Sequence, residues 1–217
     1  WVVAQCRDTP WMAPHQGRRL WDHFAGHRPQ VALDIGTHLG VSAAYMATGM
    51  RSLGIDGRVI TVDSGQNVAR DTIDGWADLW ARCGVADMID VVLIADSNYA
   101  WWLARKLEGS LMESGDGFHA LYDFVYLDGA KVLGIDAAAA LLAVELLRPG
   151  GWLVMDDLDW CYDDVSEMLS TPVTSYPEGG AFRFSDDERL SSHVRLVHDL
   201  VLRRCLLVGI TQEDDAC

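Results

Sequence analysis

The stretch "VALDIGTHLGVSAAYMATGM", residues 31–50, joins three different textures in twenty positions. Val31 to Ile35 is a short aliphatic run broken by one acid, Asp34. Gly36 and Gly40 bracket a turn that holds Thr37 and His38. Small residues at helical density follow, from Val41 to Met50. This reads as strand, glycine turn and helix. The aliphatic run is continuous rather than alternating, as expected of a strand covered on both faces of a parallel sheet.

The same unit recurs along the chain. "GRVITVD" (57–63), "DVVLIAD" (90–96), "YDFVYLD" (122–128) and "WLVMDD" (152–157) are further strands. Helical segments separate them. Residues 69–82 place Ile73, Trp76, Leu79 and Trp80 near one face, and residues 97–107 form the next helix. Residues 135–147 form another, ended by Arg148-Pro149-Gly150-Gly151. A helix over 14–25, with Leu20, Trp21 and Phe24, precedes the first strand. Beyond Cys161 the pattern predicts a loop at 170–180, a helix over 188–203 and a last strand, "CLLVGIT" (205–211). Strand and helix alternate repeatedly, which predicts an α/β fold with a doubly wound, mostly parallel sheet and helices on both faces.

The 217 residues suit one domain, and 50% apolar with 23% charged is ordinary globular composition. A net charge of −15 argues against nucleic acid or an anionic membrane as partner. The five cysteines are widely spaced and form no C-x-x-C, so neither a disulfide framework nor a zinc site is expected. A reducing compartment, the cytoplasm, follows. The apolar run at 137–147 is too short to span a membrane and contains Glu145.

Ligands of such sheets sit at the carboxyl ends of the strands. Asp63, Asp96, Asp128 and the pair Asp156-Asp157 all fall there, and Asp34 lies just inside the first. A single aspartate at such a place is a turn or a helix cap. Five positions along one edge ask for more. A dinucleotide would need G-x-G-x-x-G, and here Asp34 takes the place of the first glycine. A carboxylate there repels a pyrophosphate. S-adenosyl-L-methionine carries a sulfonium and an ammonium instead. Asp34 then suits the methionyl cation, and the His38 backbone a methionyl contact. Asp63 suits the ribose hydroxyls, and Ala95 to Asn98 the adenine edge.

"LDIGTHLGVSAAYMA" resembles the first motif of class I S-adenosylmethionine-dependent methyltransferases. The nearest likeness is to the metal-dependent O-methyltransferases of the catechol and caffeoyl-coenzyme A type. "MAPHQGRRL" (12–20) is similar to the helix before that motif, and "LLRPGGWLVMDD" to the fifth strand. The resemblance spans about Met12 to Trp160. It implies a seven-stranded Rossmann-like sheet and one methyltransferase domain over 1–217. Within it, 1–30 would be a helical cap, 31–160 the cofactor and metal core, and 161–217 a variable substrate region. The implied cofactor contacts are Met12, Asp34, Gly36, Thr37, His38, Gly40, Ser42, Asp63, Ser64, Asp96, Ser97, Asn98 and Asp128.

The family places one metal ligand in a D-x-x-K context after the fourth strand and two more in an adjacent pair after the fifth. These map to Asp128, Asp156 and Asp157, with Lys131 as the base. The chemistry agrees. Three converging carboxylates need protons or a cation, and an all-oxygen set suits Mg²⁺ or another hard divalent ion such as Mn²⁺ or Ca²⁺. Asp157 departs from the catechol type, which has asparagine there, and is similar to the macrocin-type sugar O-methyltransferases. Trp160 would wall the acceptor pocket, and the tail after it does not match that of the catechol enzymes. The expected protein is a Mg²⁺-assisted O-methyltransferase acting on a small molecule with vicinal hydroxyls, a catechol or a sugar diol. Relatives of this kind are often homodimers. Its rivals are a metal-independent O- or N-methyltransferase and a non-catalytic S-adenosylmethionine-binding module.

Overall fold

The computed structural model describes residues 2–6, 12–65, 70–113, 120–164 and 184–204. The chain divides into two compact units, Trp1–Gly129 with Leu142–Asp156, and Ala130–Leu141 with Asp157–Cys217.

The first unit is built on a parallel sheet of five strands among the described residues. They are β1 (Val31–Ile35), β2 (Arg58–Asp63), β3 (Ile89–Leu93), β4 (Tyr122–Leu127) and β5 (Leu147–Met155), in the order β3-β2-β1-β4-β5. The helices before β4 are α1 (Val2–Gln5), α2 (Pro14–His27), α3 (Val41–Ser52), α4 (Arg70–Arg82) and α5 (Tyr99–Glu113). Chain order runs outward from β1 to β3, then restarts on the other side of β1 with β4. Right-handed crossovers therefore put α3 and α4 on one face and α5 on the other. The switch point lies between β1 and β4, where a ligand crevice opens in sheets of this type.

Strand alternation decides which side chains meet. Ala32 and Asp34, Val59 and Thr61, Phe124 and Tyr126, and Trp152 and Val154 all point to one face, because side chains repeat every two residues. The register pairs Asp34 with Thr61 on one side and with Tyr126 on the other. On this face Phe24 of α2 meets Phe124 edge-on, with centroids 4.6 Å apart, and Ala43, Ala44, Met46, Ala47 and Met50 of α3 are fully buried. The small residues of α3 let it lie close to the sheet. Asp123, at the other end of β4, accepts from the Gln30 and Val31 N–H groups and pairs with Arg148. Burial pushes its carboxyl up, but Arg148 and the two N–H groups outweigh this and hold it below the usual range.

The loops after β1 and β4 touch at the switch point. Gly36 has φ +98°, and a Cβ there would overlap the Asp128 carbonyl oxygen and lie 2.9 Å from its carbon. Both the dihedral and the contact demand glycine. Gly36→Ala is expected to destabilise the protein by roughly 3 kcal/mol or more, from backbone strain plus overpacking. Urea unfolding measures this, and a loss near zero would refute the close approach.

Helix α6 (Leu133–Leu146) starts in the second unit and ends in the first, and in the second unit Asp186–Leu190 form α7 and His193–Leu196 form α8. Tyr162, Phe184 and His193 pack ring to ring, and the Tyr162 hydroxyl donates to the Ala130 carbonyl at 2.7 Å. His193 Nδ1 accepts the Leu133 N–H, so its proton sits on Nε2 and faces the Glu188 carbonyl.

Four expectations change. β5 starts at Leu147, paired with Tyr122, rather than at 152, and so includes the expected break at Arg148-Pro149-Gly150-Gly151. β3 stops at Leu93 rather than 96, because the Ser97 N–H turns back to the Ile94 carbonyl. α5 runs on to Glu113 rather than ending at 107. The helix expected over 188–203 is broken at Ser191-Ser192. There Ser185 caps α7 in a box with Glu188, and Ser192 caps α8 by accepting the Arg195 N–H. The expected loop at 170–180 and strand at 205–211 lie outside the described residues. Among the described residues no helix is long and apolar enough to cross a membrane.

Candidate active site

The turn after β1 is built around Asp34, whose side chain is fully buried. Its Oδ2 accepts from Ser42 Oγ at 3.0 Å and from Thr61 Oγ at 2.8 Å. Thr61 spends its only proton on Asp34, so the 2.6 Å contact between the Thr37 and Thr61 hydroxyls has Thr37 donating. Asp34 thus organises the floor of the turn. Its Oδ1 is buried without a hydrogen-bond partner. Burial pushes the carboxyl up to about 7, the Ser42 and Thr61 hydroxyls pull it partly back, and Asp128 and Asp63 add repulsion.

A carboxyl so raised weakens the fold as it ionises. The folded chain holds the proton more tightly than the unfolded one, so stability falls as pH rises from about 4 to about 7. Asp34→Asn is expected to remove that slope. Urea unfolding of both proteins at pH 4.5, 6 and 8 should show the wild type losing stability relative to the variant across this window. Parallel profiles would refute the assignment.

Asp63, ending β2, ties two turns together. Oδ2 accepts the His38 N–H at 2.9 Å and Oδ1 the Gly65 N–H at 2.7 Å. Both His38 backbone groups are engaged within the protein, since its carbonyl accepts the Trp76 indole N–H at 2.8 Å. Met12 is buried in the core of the first unit. Ser64 follows Asp63 directly, Asp96 is exposed in the turn after β3, and Ser97 closes that turn. Asn98 caps α5, with its Oδ1 accepting the Trp101 N–H at 3.0 Å. The structure therefore brings Asp34, Thr37 and Ser42 into one network, His38 and Asp63 into a second, and Gly36 against Asp128.

Asp128 and Asp156 follow β4 and β5 directly. The ladder continues past each strand end, with the Asp128 N–H on the Ile35 carbonyl at 2.9 Å and the Asp156 N–H on the Leu127 carbonyl at 3.2 Å. Asp157 is the next residue. One carboxylate oxygen from each of Asp128, Asp156 and Asp157 lies within 4.8 Å of the others. Sequence reasoning missed Tyr126, which is buried and donates its hydroxyl to Asp156 Oδ2. Burial first, then the Asp128 and Asp156 charges, push the phenol well above its ordinary value, so it stays a donor. Tyr126 fixes a carboxylate that could ligate a metal, as outer partners of metal ligands do. The signal was there in outline, since Tyr126 shares strand parity with Asp156, but only the pairing of β4 with β5 makes it visible.

In the second unit Lys131 Nζ lies 3.0 Å from Asp157 Oδ2 and 5.8 Å from the centroid of the Trp160 ring. The lysine side chain is only 14% exposed. Lys131 and Asp157 both have φ +57°, and His38 has φ +41°. Among the described residues the remaining non-glycine residue at positive φ is Arg28, which simply ends α2. Left-handed backbone at such residues costs energy and gathers at functional sites. A separate groove of 580 Å³, lined by Gln30, Val31, Gly57 and Arg58, lies at the opposite ends of the strands. Its arginines are spent on ion pairs, Arg51 with Asp87 and Arg58 with Asp90.

Residues 33–158, over half the chain, match a family model described as a methyltransferase domain. No curated protein matches. Among solved structures, the chain is similar to the S-adenosylhomocysteine-bound O-methyltransferase of Bacillus cereus, at 20% identity and TM-score 0.56, covering 94% of this chain and 76% of that one. It is similar to the O-methyltransferase TomG of Streptomyces achromogenes, involved in tomaymycin synthesis and bound to S-adenosylmethionine, at 21% identity, TM-score 0.59 and coverage of 94% and 76%. A Staphylococcus aureus protein provisionally described as a caffeoyl-CoA O-methyltransferase matches at 14% identity, TM-score 0.60 and coverage of 93% and 79%.

Proposed function

The chain belongs to the methyltransferase domain family, and from that premise we propose a Mg²⁺-assisted O-methyltransferase that uses S-adenosyl-L-methionine. The acceptor is a small molecule with vicinal hydroxyls, a catechol or a sugar diol, and the whole chain serves as one catalytic domain. The carrying observation is the convergence of Asp128, Asp156 and Asp157 at the carboxyl ends of adjacent strands.

The residues fit both groups. Gly36 and Gly40, both at positive φ, give the turn the tight left-handed course of a ligand-binding loop. Once ionised, the buried Asp34 carboxyl, with its partnerless Oδ1, gives the turn a negative field suited to a sulfonium and an ammonium, and hostile to a phosphate. Asp63 retains lone pairs for ribose hydroxyls beyond the two N–H bonds it accepts. For the metal, the donor set is three carboxylate oxygens with no sulfur or imidazole, the preference of Mg²⁺. When bound, such an ion lowers the pKa of a ligating hydroxyl and fixes neighbouring oxygens in place.

The chain's own residues do the rest. Tyr126 keeps Asp156 oriented. Lys131, once deprotonated, takes the hydroxyl proton of the acceptor. S-adenosyl-L-methionine, when bound, would supply the methyl group for the freed oxygen and leave as S-adenosylhomocysteine, giving a methyl ether. Trp160 flanks the lysine and supplies an apolar wall for the acceptor. Positioning of this sort can supply about 7–11 kcal/mol of the barrier.

The test is transfer of labelled methyl from S-adenosylmethionine to a panel of catechols and sugar diols. Transfer is expected with Mg²⁺ and is expected to vanish with excess EDTA and return on adding Mg²⁺ back. Transfer that survives exhaustive chelation would overturn the metal-assisted reading.

A further inference from the structure

Two tryptophans hold the turn after β1 from the side. The Trp76 indole N–H donates to the His38 carbonyl, and the Trp80 indole N–H donates to the Gly40 carbonyl, both at 2.8 Å. Both residues lie on α4, one helical turn apart, and their rings stack at 22° with centroids 6.0 Å apart. They are 3% and 4% exposed. A buried indole N–H needs an acceptor, and any nearby carbonyl would serve a purely structural tryptophan. Here both acceptors fall within one five-residue turn, at residues in left-handed backbone, His38 at φ +41° and Gly40 at φ +77°. A Cβ on Gly40 would come within 3.1 Å of Trp76 Cδ1 and of Trp80 Nε1, so the turn is seated directly on the two rings.

We propose that Trp76 and Trp80 are positioning residues for cofactor binding, which set the conformation of the 36–40 turn through hydrogen bonds to its carbonyls. The His38 peptide groups are gripped from both sides, with Asp63 taking the N–H and Trp76 the carbonyl. That grip holds a non-glycine residue at a backbone angle it would otherwise leave. The indoles also hold the His38 and Gly40 carbonyls toward α4, and carbonyl dipoles turned the other way would change what the turn can bind. The inference rests on the reading of this turn as the S-adenosylmethionine site.

Isothermal titration of S-adenosylhomocysteine needs no methyl acceptor and separates the two claims. Phenylalanine preserves ring packing and removes the donor. Trp76→Phe and Trp80→Phe are each expected to weaken binding about tenfold, the size of one lost hydrogen bond with its carbonyl left buried. The control is Trp152→Phe, which trims the indole stacked on His27 at 4.1 Å on β5, a strand that does not carry the turn. It is expected to lower the melting temperature while leaving the affinity unchanged. Single-variant affinities within twofold of wild type, or an equal loss in the Trp152 control, would overturn the proposal while the cofactor reading stands. Wild-type protein that fails to bind S-adenosylhomocysteine would take down both.

Discussion

Asp156→Ala is expected to abolish tight divalent-ion binding and to reduce methyl transfer by at least about a hundredfold, since even outer partners of metal ligands are worth about 10–100-fold. The cluster has three carboxylates, and Mg²⁺ demands near-octahedral oxygen geometry with little tolerance for a missing donor. Asp156 is also the acceptor for the buried Tyr126 hydroxyl. Alanine would leave that hydroxyl buried without its partner, at a cost of about 1–3 kcal/mol in stability. Asp156→Asn separates the two effects. Its amide oxygen still accepts from Tyr126, so the fold is kept, but one negative charge is gone. Titration with Mn²⁺ followed by electron paramagnetic resonance reads the ion directly and needs no acceptor. Both variants should lose affinity, and only the alanine should lose stability. Wild-type Mn²⁺ affinity in the asparagine variant would remove Asp156 from the ligand set.

The parts of the fold that were legible in sequence are those fixed by burial on both faces. β1, β2 and β4 are continuous aliphatic runs, and their observed bounds lie within a residue or so of expectation. β3 is at the edge of the sheet, with Val91 and Leu93 exposed, so burial does not define where it ends. The C-terminal helix was misread for a local reason. Leu190, Val194, Val197 and Val201 keep helical spacing across Ser191-Ser192, and the apolar pattern hid two serine caps. The S-x-x-E box at Ser185 and Glu188 was visible and would have placed the start of α7.

The site was legible where residues close in sequence carry the chemistry, and illegible where strand pairing does. Asp156 and Asp157 announce themselves as a pair. That Thr61 would hold Asp34, or Tyr126 hold Asp156, depends on which strands are neighbours and on their register. A threonine and a tyrosine inside aliphatic strands read simply as good strand formers. Asp34 is buried under the turn, and its hold on Ser42 and Thr61 was equally hidden in the one-dimensional pattern.

Lys131 separates a base from a counter-ion, and its variants give the second large effect. In this structure the ammonium pairs with Asp157 at 3.0 Å, which a purely electrostatic role would explain. Lys131→Arg keeps a permanent positive charge and reaches the same carboxylate, but a guanidinium does not give up its proton in a protein. If Lys131 only balances Asp157, the arginine variant keeps its activity. If Lys131 takes the hydroxyl proton, arginine fails as alanine does, and both should lose about 10²–10⁴-fold in kcat, the span of general-base catalysis. Affinity for Mn²⁺ and for S-adenosylhomocysteine should change little in either. An arginine variant with wild-type kcat would leave Lys131 as the partner of Asp157 and move the proton to another acceptor.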